Sequence, residues 1–380
     1  MLSPFIINDA PVHLDRFPLA QVNRSLQAWD AADEYLLSHL QDHNLLAKNQ
    51  RIVIFNDSFG ALAVNLAEHS LQLVNDSFIS QQGILHNLEQ NNVSTDDIRL
   101  LDSVSELDTS EPIDLILLKI PKSNSYLEYQ LQQIQRIASA SSKVISTARA
   151  KDIHTSTLKL FTKHLGETTT SLAVKKARLV FSQVDASNKR SLTQSKVWRL
   201  PNSNFDITNM ANVFSRDSMD IGGGFLLDHL PAVNDGAQVA DLGCGNGMLG
   251  LMMLANNPGC DMHFFDESHM AVASAKHNII NNVPELEQQC QFTVGDCLAS
   301  SGNNKFDLIL CNPPFHQQSA VTDHIAWQMF KESYKSLKNG GELRIIGNRQ
   351  LGYHIKLKRL FNNCQTIASN KKFVVLSAKK

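Results

Sequence analysis

A chain that spells the same ordered set of segments twice builds the same architecture twice. The second half runs AQVADLGCGNGMLGLMML (237–254), MHFFDES (262–268), QFTVGDCL (291–298), FDLILCNPPF (306–315) and GELRIIGNRQLGYHIKLKRLF (341–361). The first half runs QRIVIFNDSFGALAVNLA (50–67), LQLVNDSF (71–78), IRLLDS (98–103), IDLILLKIPK (113–122) and SKVISTARAKDIHTSTLKLF (142–161). The offset between partners grows only from 187 to 200 residues. Each half alternates short apolar strand runs with helical segments, the pattern of a mostly parallel, doubly wound α/β sheet. The gaps between strand runs are long enough for the crossovers that parallel strands need. A length of 380 residues with 43% hydrophobic side chains supplies two packed cores. The expectation is two tandem Rossmann-like domains from an internal duplication, residues 1–200 and 201–380.

The two copies differ where chemistry is expected. After its first strand the second copy carries Asp241, Gly243, Gly245 and Gly247. A glycine-rich turn there lets backbone approach a ligand closely at the start of the next helix. The first copy sets Asn56, Ser58 and Gly60 against the three glycines, so two are lost. Asn312-Pro313-Pro314-Phe315 faces Lys119-Ile120-Pro121-Lys122, so the Asn and the aromatic ring are lost too. The first copy thus reads as degenerate: a scaffold or substrate-binding domain without a site of its own.

The glycine run is G-x-G-x-G, not the G-x-G-x-x-G of NAD or FAD sites. Asp266 lies about 20 residues beyond it, at a strand end, where a carboxylate accepts both hydroxyls of a ribose. A helix N-cap is the rival role for Asp266, with Ser268 the alternative cap. Asp296 ends the following strand and is placed to face an adenine ring. No phosphate-binding Lys follows the glycines, which argues against a nucleoside triphosphate. A ribose, an adenine and no phosphate describe S-adenosyl-L-methionine.

The net charge of −2 conceals a pattern. Residues 1–142 hold 8 basic and 18 acidic side chains, 143–199 hold 12 and 3, 200–330 hold 3 and 14, and 331–380 hold 12 and 2. Positive charge segregated into matching blocks of a near-neutral protein points to a polyanion partner. The candidate contacts are Arg149, Lys151, Lys175, Lys176 and Arg178 in the first block, and Arg349, Lys356, Lys358 and Arg359 in the second. Six cysteines (Cys244, Cys260, Cys290, Cys297, Cys311, Cys364) lie scattered in the second half without a CxxC pair. They fit reduced thiols in a cytoplasmic protein rather than disulfides or a zinc site. No metal is expected. No apolar run reaches the ~18 residues of a membrane span, and no signal peptide is read at the N-terminus.

Asp-x-Gly-x-Gly-x-Gly, the acidic end of the second strand and Asn-Pro-Pro-Phe together resemble the class I methyltransferases that act on exocyclic amino groups. Asn-Pro-Pro-Phe-His is similar to the form found in ribosomal RNA guanine-N2 methyltransferases. The segment ANVFSRDSMDIGGGFLLDHLP (211–231) resembles the one that precedes their catalytic domain, and the degenerate N-terminal copy is a family trait. LQAWDAADEYLL (26–37), KDIHTSTLKLF, TTTSLAVKKARL and NPPFHQQSAVTD extend the likeness to the large-subunit branch of that family over nearly the whole chain. The small-subunit branch shares the architecture and stays the nearest alternative. Glutamine-directed protein methyltransferases and DNA adenine methyltransferases stand further off.

The resemblance implies methyl transfer from S-adenosyl-L-methionine to the N2 of a guanine in 23S ribosomal RNA. It also implies a monomer. Cofactor contacts would come from Phe214, Asp241, Gly243, Cys244, Gly245, Asn246, Gly247, Asp266, Glu267, Asp296 and Asn312. The catalytic set would be Asn312, Pro313, Pro314 and Phe315. An arylamine is a weak nucleophile because its lone pair is delocalised into the ring. The resemblance gives the Asn312 side-chain oxygen and the Pro313 backbone oxygen as acceptors for its protons. Two prolines fix φ and remove competing donors, so those acceptors are held still. Phe315 would stack on the extruded base. His316 is either a proton acceptor or an ordinary surface histidine.

Overall fold

A computed structural model describes residues 5–7, 10–19, 26–185, 187, 195–314 and 320–380. The chain divides into two compact units, Met1–Gln194 and Ser195–Lys380. The division falls a few residues ahead of the expected 200/201 boundary, because Ser195–Arg199 pairs with Asp206–Met210 in an antiparallel hairpin. Side-chain amides pin that hairpin to the second unit: Thr208 N–H donates to Asn278 Oδ1 at 2.8 Å, and Asn278 Nδ2 donates back to Thr208 O at 2.9 Å.

In chain order the first unit holds β1 (Phe5–Ile7), β2 (Ala10–Val12), α1 (Ala31–Asp42), β3 (Arg51–Phe55), α2 (Ala61–Asn65), β4 (Ser70–Asn75) and α3 (Phe78–Gln90). There follow β5 (Ile98–Asp102), β6 (Leu115–Lys119), α4 (Asn124–Ile137), β7 (Lys143–Arg149), α5 (Thr155–His164), β8 (Thr168–Thr170) and β9 (Ala177–Ser182). The second unit opens with the hairpin β10 (Ser195–Arg199) and β11 (Asp206–Met210), then α6 (Ile221–Leu227), β12 (Gln238–Leu242), α7 (Met248–Asn256), β13 (Asp261–Asp266) and α8 (His269–Asn282). It closes with β14 (Cys290–Val294), β15 (Phe306–Cys311), α9 (Ala320–Ser336), β16 (Leu337–Asn348), α10 (Tyr353–Phe361), β17 (Gln365–Ser369) and β18 (Phe373–Lys379).

The two main sheets have one topology. Their strand orders are β5-β4-β3-β6-β7-β9-β8 and β14-β13-β12-β15-β16-β18-β17. The first five strands of each order are mutually parallel. The sixth, β9 or β18, runs antiparallel to them, and the edge strand, β8 or β17, runs antiparallel to the sixth. The central strands are buried on both faces, as parallel strands covered by helices must be. Ile52 and Ile54 of β3 point into one core cluster, and Val53 and Phe55 into the other. In the second unit Leu308 and Leu310 of β15 face one core, and Ile309 and Cys311 the other. The strand order reverses between β12 and β15, so a crevice opens beyond their carboxyl ends. The glycine loop follows β12 and the Asn-Pro-Pro loop follows β15. The duplication read from the sequence therefore delivers both motifs to one edge of one sheet.

Candidate active site

The glycine loop joins β12 to α7. Gly243, Gly245 and Gly247 take φ of 74°, 54° and 76°, a left-handed path open to glycine. At Gly247 a Cβ would stand 2.7 Å from the Cβ of Ala275 and 2.9 Å from its Cα, so α8 packs where a side chain would be. A Cβ at Gly245 would meet nothing within 4 Å, so this stretch of backbone is open to a ligand. Gly243 and Cys244 both donate their N–H to Phe265 O, at 2.8 and 2.9 Å. Asn246 is buried; its Nδ2 donates to Asn209 Oδ1 at 2.9 Å, and Asn278 Nδ2 donates to its carbonyl at 2.9 Å. The β10–β11 hairpin and α8 thus hold the loop from behind.

Asp266, at the end of β13, accepts from Gly245 N at 2.9 Å through Oδ2 and from Ser268 N at 3.0 Å through Oδ1. It is not the cap of α8; Ser268 is, accepting from Ala271 N. Asp266 instead braces the glycine loop, and an ionised carboxylate offers about four acceptor sites in all. Glu267 beside it is exposed. Asp241 is buried at the end of β12. Its Oδ2 accepts from Gly250 N at 3.0 Å, while its Oδ1 is buried with no hydrogen-bond partner among the described residues. Burial raises its pKa to about 8; the Gly250 amide offsets part of this and the nearby Asp266 charge adds to it. Burial also pushes the Cys244 thiol well up, so it stays a neutral packing group. Asp296 is held through Oδ1 by Gln328 Nε2 at 3.0 Å. Phe214, 61% exposed, lies between β11 and α6.

Asn312 stands at the first position after β15. Its Nδ2 donates to Asp220 Oδ2 at 3.3 Å. Its Oδ1 is buried with no partner among the described residues. Pro313 is buried and Pro314 exposed. Phe315 and His316 lie outside the described residues. Asp220 caps α6, accepting from Gly223 N at 2.6 Å. A Cβ on Gly223 would stand 3.5 Å from Asn312 Nδ2, so the glycine run 222–224 brings α6 close to the motif. No local pattern marks Asp220, which meets Asn312 across 92 residues of chain.

The basic residues gather at equivalent corners. In the first unit Arg149 ends β7 and pairs with Ala177, and Ala150 N donates to Lys176 O at 2.7 Å. Arg149, Lys151, Lys175 and Lys176 are exposed there, and Arg178 on β9 is half-buried. In the second unit Arg349 follows β16, and its N donates to Lys372 O at 3.0 Å. Lys372 thus stands where Lys176 stands in the first copy, a match that the charge blocks alone do not single out. Because β16 runs parallel to β15, this corner lies at the sheet edge that carries Asn312. On α10, Tyr353, Leu357 and Phe361 are buried while Lys358 and Arg359 are exposed; the Lys356 ammonium lies over the Tyr353 ring.

The corresponding edge of the first unit is filled by its own side chains. Asn56, in the place of Gly243, donates to Lys119 O and to Gln130 Oε1, both at 2.8 Å, and accepts from Gln130 Nε2 at 2.8 Å. Lys119, in the place of Asn312, forms a 2.6 Å ion pair with the fully buried Asp33. Burial works against the Lys119 charge, but Asp33, Asp30 and Asp57 outweigh it and raise its pKa. Burial lifts Asp33 to about 6, with Lys119 pulling the other way. Asn75, in the place of Asp266, donates to Asp57 O at 2.8 Å.

A seven-stranded sheet of this order, with a glycine loop and an Asn-Pro-Pro loop flanking its switch point, defines a methyltransferase of class I. Residues 204–377 match the family model described as methyltransferase small domain, and residues 3–186 the one described as RLMG N-terminal domain. The chain is 51% identical over 393 residues to ribosomal RNA large subunit methyltransferase G of Colwellia psychrerythraea, covering all of both chains. It is 48% identical over 376 residues to the protein of the same name from Pseudoalteromonas translucida, covering 98% of this chain and 97% of the other. The chain belongs to the ribosomal RNA large subunit methyltransferase G family. Among solved structures, a T. thermophilus 16S rRNA N2 methyltransferase in complex with AdoMet and guanosine shares its fold, with a TM-score of 0.77, 19% identity, and coverage of 100% of this chain and 97% of that one.

Proposed function

We propose that this protein methylates the exocyclic N2 of a guanine in 23S ribosomal RNA, using S-adenosyl-L-methionine. The observation that carries this reading is the Asn312 Oδ1, a buried acceptor with no partner among the described residues, beside the glycine loop. A buried acceptor left unmatched costs about 1–3 kcal/mol, which a substrate N–H recovers. Relatives of 46–51% identity named for the large subunit support 23S over 16S RNA.

The residues present fit the cofactor. Gly243, Gly245 and Gly247 give a backbone cradle without Cβ atoms, and the Asp266 carboxylate is an acceptor suited to ribose hydroxyls. Asp296, one oxygen of which is held by Gln328, would take the adenine side, and Asp241 offers a buried polar end beneath the loop. Glu267 and Phe214 are exposed and would add contacts, while Cys244 and Asn246, both buried, would act by shaping the loop. When bound, S-adenosyl-L-methionine supplies an electrophilic sulfonium methyl.

The protein's own part is orientation. Asn312 Oδ1 and the Pro313 carbonyl accept the two amine protons, which draws density back onto nitrogen and aims its lone pair. In-line alignment of this kind is worth up to ~7–11 kcal/mol in favourable cases. The proton leaves to water once the nitrogen is cationic. Extruding the base costs a few kcal/mol, which contacts to the surrounding RNA offset. Those contacts come from the two basic corners and α10, and the first unit serves to position RNA. Action on ribosomal RNA sets the work in the cytoplasm, and one chain carries both a site and an RNA surface, so a monomer suffices. Among the described residues no cluster of side chains suits a metal ion, and no helix is long and apolar enough to cross a membrane.

Labelled S-adenosyl-L-methionine offered with 23S RNA, 16S RNA, tRNA, DNA and total protein tests this reading. Label in N2-methylguanine of 23S RNA is expected. Label confined to 16S RNA or to protein overturns it.

A further inference from the structure

Asn312 carries an amide whose two ends have nearly the same size and opposite chemistry. One end accepts and the other donates, so packing alone does not choose between the two orientations; hydrogen-bond partners do. Asp220 supplies that choice. Its Oδ2 lies 3.3 Å from Asn312 Nδ2 and also accepts from Gly223 N at 2.6 Å. An ionised carboxylate only accepts, so the opposite orientation would set two oxygens against each other. The orientation that satisfies Asp220 turns Asn312 Oδ1 away from it, and that oxygen is buried with no partner among the described residues. The backbone fixes the carboxylate in turn: Asp220 caps α6, and its bond to Gly223 N ties the side chain to the first turn of that helix. Both groups thus sit on rigid elements, one at the end of a central strand and one at a helix start.

We propose that Asp220 is a positioning residue for methyl transfer: it locks the Asn312 amide with its oxygen toward the substrate amine. This rests on the reading of Asn312 as the amine acceptor. Without the lock, a flipped amide presents N–H groups to the arylamine and repels the nucleophile. The role is distinct from capping α6, and the two are separable by substitution. Serine and asparagine both cap helices well. The Asp220→Asn variant keeps an oxygen at the length needed to reach both Gly223 N and Asn312 Nδ2. In Asp220→Ser the shorter hydroxyl reaches the cap bond but falls short of Asn312.

The test uses the full-length protein with 23S RNA. Asp220→Ser is expected to lower kcat about 10- to 100-fold, the usual effect of a misplaced orienting group, with S-adenosyl-L-methionine affinity and melting temperature unchanged. Asp220→Asn is expected to stay within a few-fold of the parent protein. In an Asn312→Ala background Asp220→Ser is expected to change kcat less than about two-fold, since the group it acts through is gone. Equal turnover of Asp220→Ser and the parent reduces Asp220 to a cap and overturns the proposal. A full Asp220→Ser effect that persists in the Asn312→Ala background overturns it as well, because Asp220 then touches the reactants itself. Absence of 23S methylation by the parent protein is a separate result that removes the underlying function instead.

Discussion

Val174 and Ala177 face one another across a two-residue turn, closed by Val174 N to Ala177 O at 2.9 Å and Ala177 N to Val174 O at 2.8 Å. Between them Lys175 and Lys176 take φ of 46° and 68°. A turn of this hand favours Asn-Gly, because an L side chain in the left-handed region costs ~1–2 kcal/mol. Lys176→Gly relieves that strain and returns about 0.5–1 kcal/mol to the freer unfolded chain. The net expectation is a gain of about 0.5–1 kcal/mol, or roughly 1–4 °C in the melting temperature of a unit this large. If the exposed Lys176 neutralises a phosphate, the same change should flatten the plot of log affinity against log salt by about 0.7–0.9. Stability and binding then move in opposite directions from one substitution. Thermal unfolding of the full chain and titration of a 23S fragment across a salt series measure both. A more stable variant with an unchanged salt slope refutes the phosphate contact and leaves the strained turn unexplained.

Gly247→Ala forces a methyl to within 2.7 Å of Ala275 Cβ in a left-handed conformation, so a loss of about 2–5 kcal/mol and weaker cofactor binding are expected by melting and calorimetry. Asn312→Ala should cut kcat about 10²-fold with little change in cofactor affinity, while Asp266→Ala should chiefly weaken cofactor binding; steady-state kinetics and calorimetry that show the reverse split would reassign both residues. Asp241, with a folded pKa of about 8 against an ordinary 3.8, keeps a proton that the unfolded chain releases, so its contribution to stability falls as pH rises between those values. His263, driven by burial to about 4 from 6.5, acts in the opposite sense below pH 6.5, which leaves pH 6.5–8 as the clear window. Across it Asp241→Asn should gain about 2 kcal/mol relative to the parent in urea unfolding, at ~1.4 kcal/mol per pH unit; parallel pH curves would mean the folded carboxyl ionises normally.

Positions marked by local spacing were legible. The glycine loop, Asp266 and Asn-Pro-Pro all lie at strand ends, where the alternation of apolar runs and turns marks them. The charge blocks were legible because Lys and Arg cluster from β7 and from β16 onward in the two copies, although Arg149 and Arg349 are one position out of register. The edge strands of the two sheets were not, since Thr168–Thr170 and Gln365–Ser369 carry no apolar run to announce a strand. The hairpin of β10 and β11 was hidden for another reason. The expected boundary at 200/201 falls inside it: Leu200 N bonds Phe205 O at 2.9 Å, and Pro201, Asn202 and Ser203 lie in the hairpin's turn. Asp33, which pairs with Lys119, and Asp220, which pairs with Asn312, meet their partners only through the fold. No window of sequence brings them together.

The filled edge of the first unit sets a hierarchy of independence between the halves. Asn56, Gln130, Lys119 and Asp33 satisfy one another within the chain, so these four offer no unmatched group to a small molecule. At the matching edge of the second half Asp241 Oδ1 and Asn312 Oδ1 are buried with no partner among the described residues. Ligand that binds only the folded form adds stability as the logarithm of its concentration, ~2.7 kcal/mol at a hundredfold excess over Kd. Melting should therefore resolve into two steps, of which only one climbs with S-adenosyl-L-methionine. If the second unit is the one that binds the methyl donor, limited proteolysis should cut it first when donor is absent, and saturating donor should protect it.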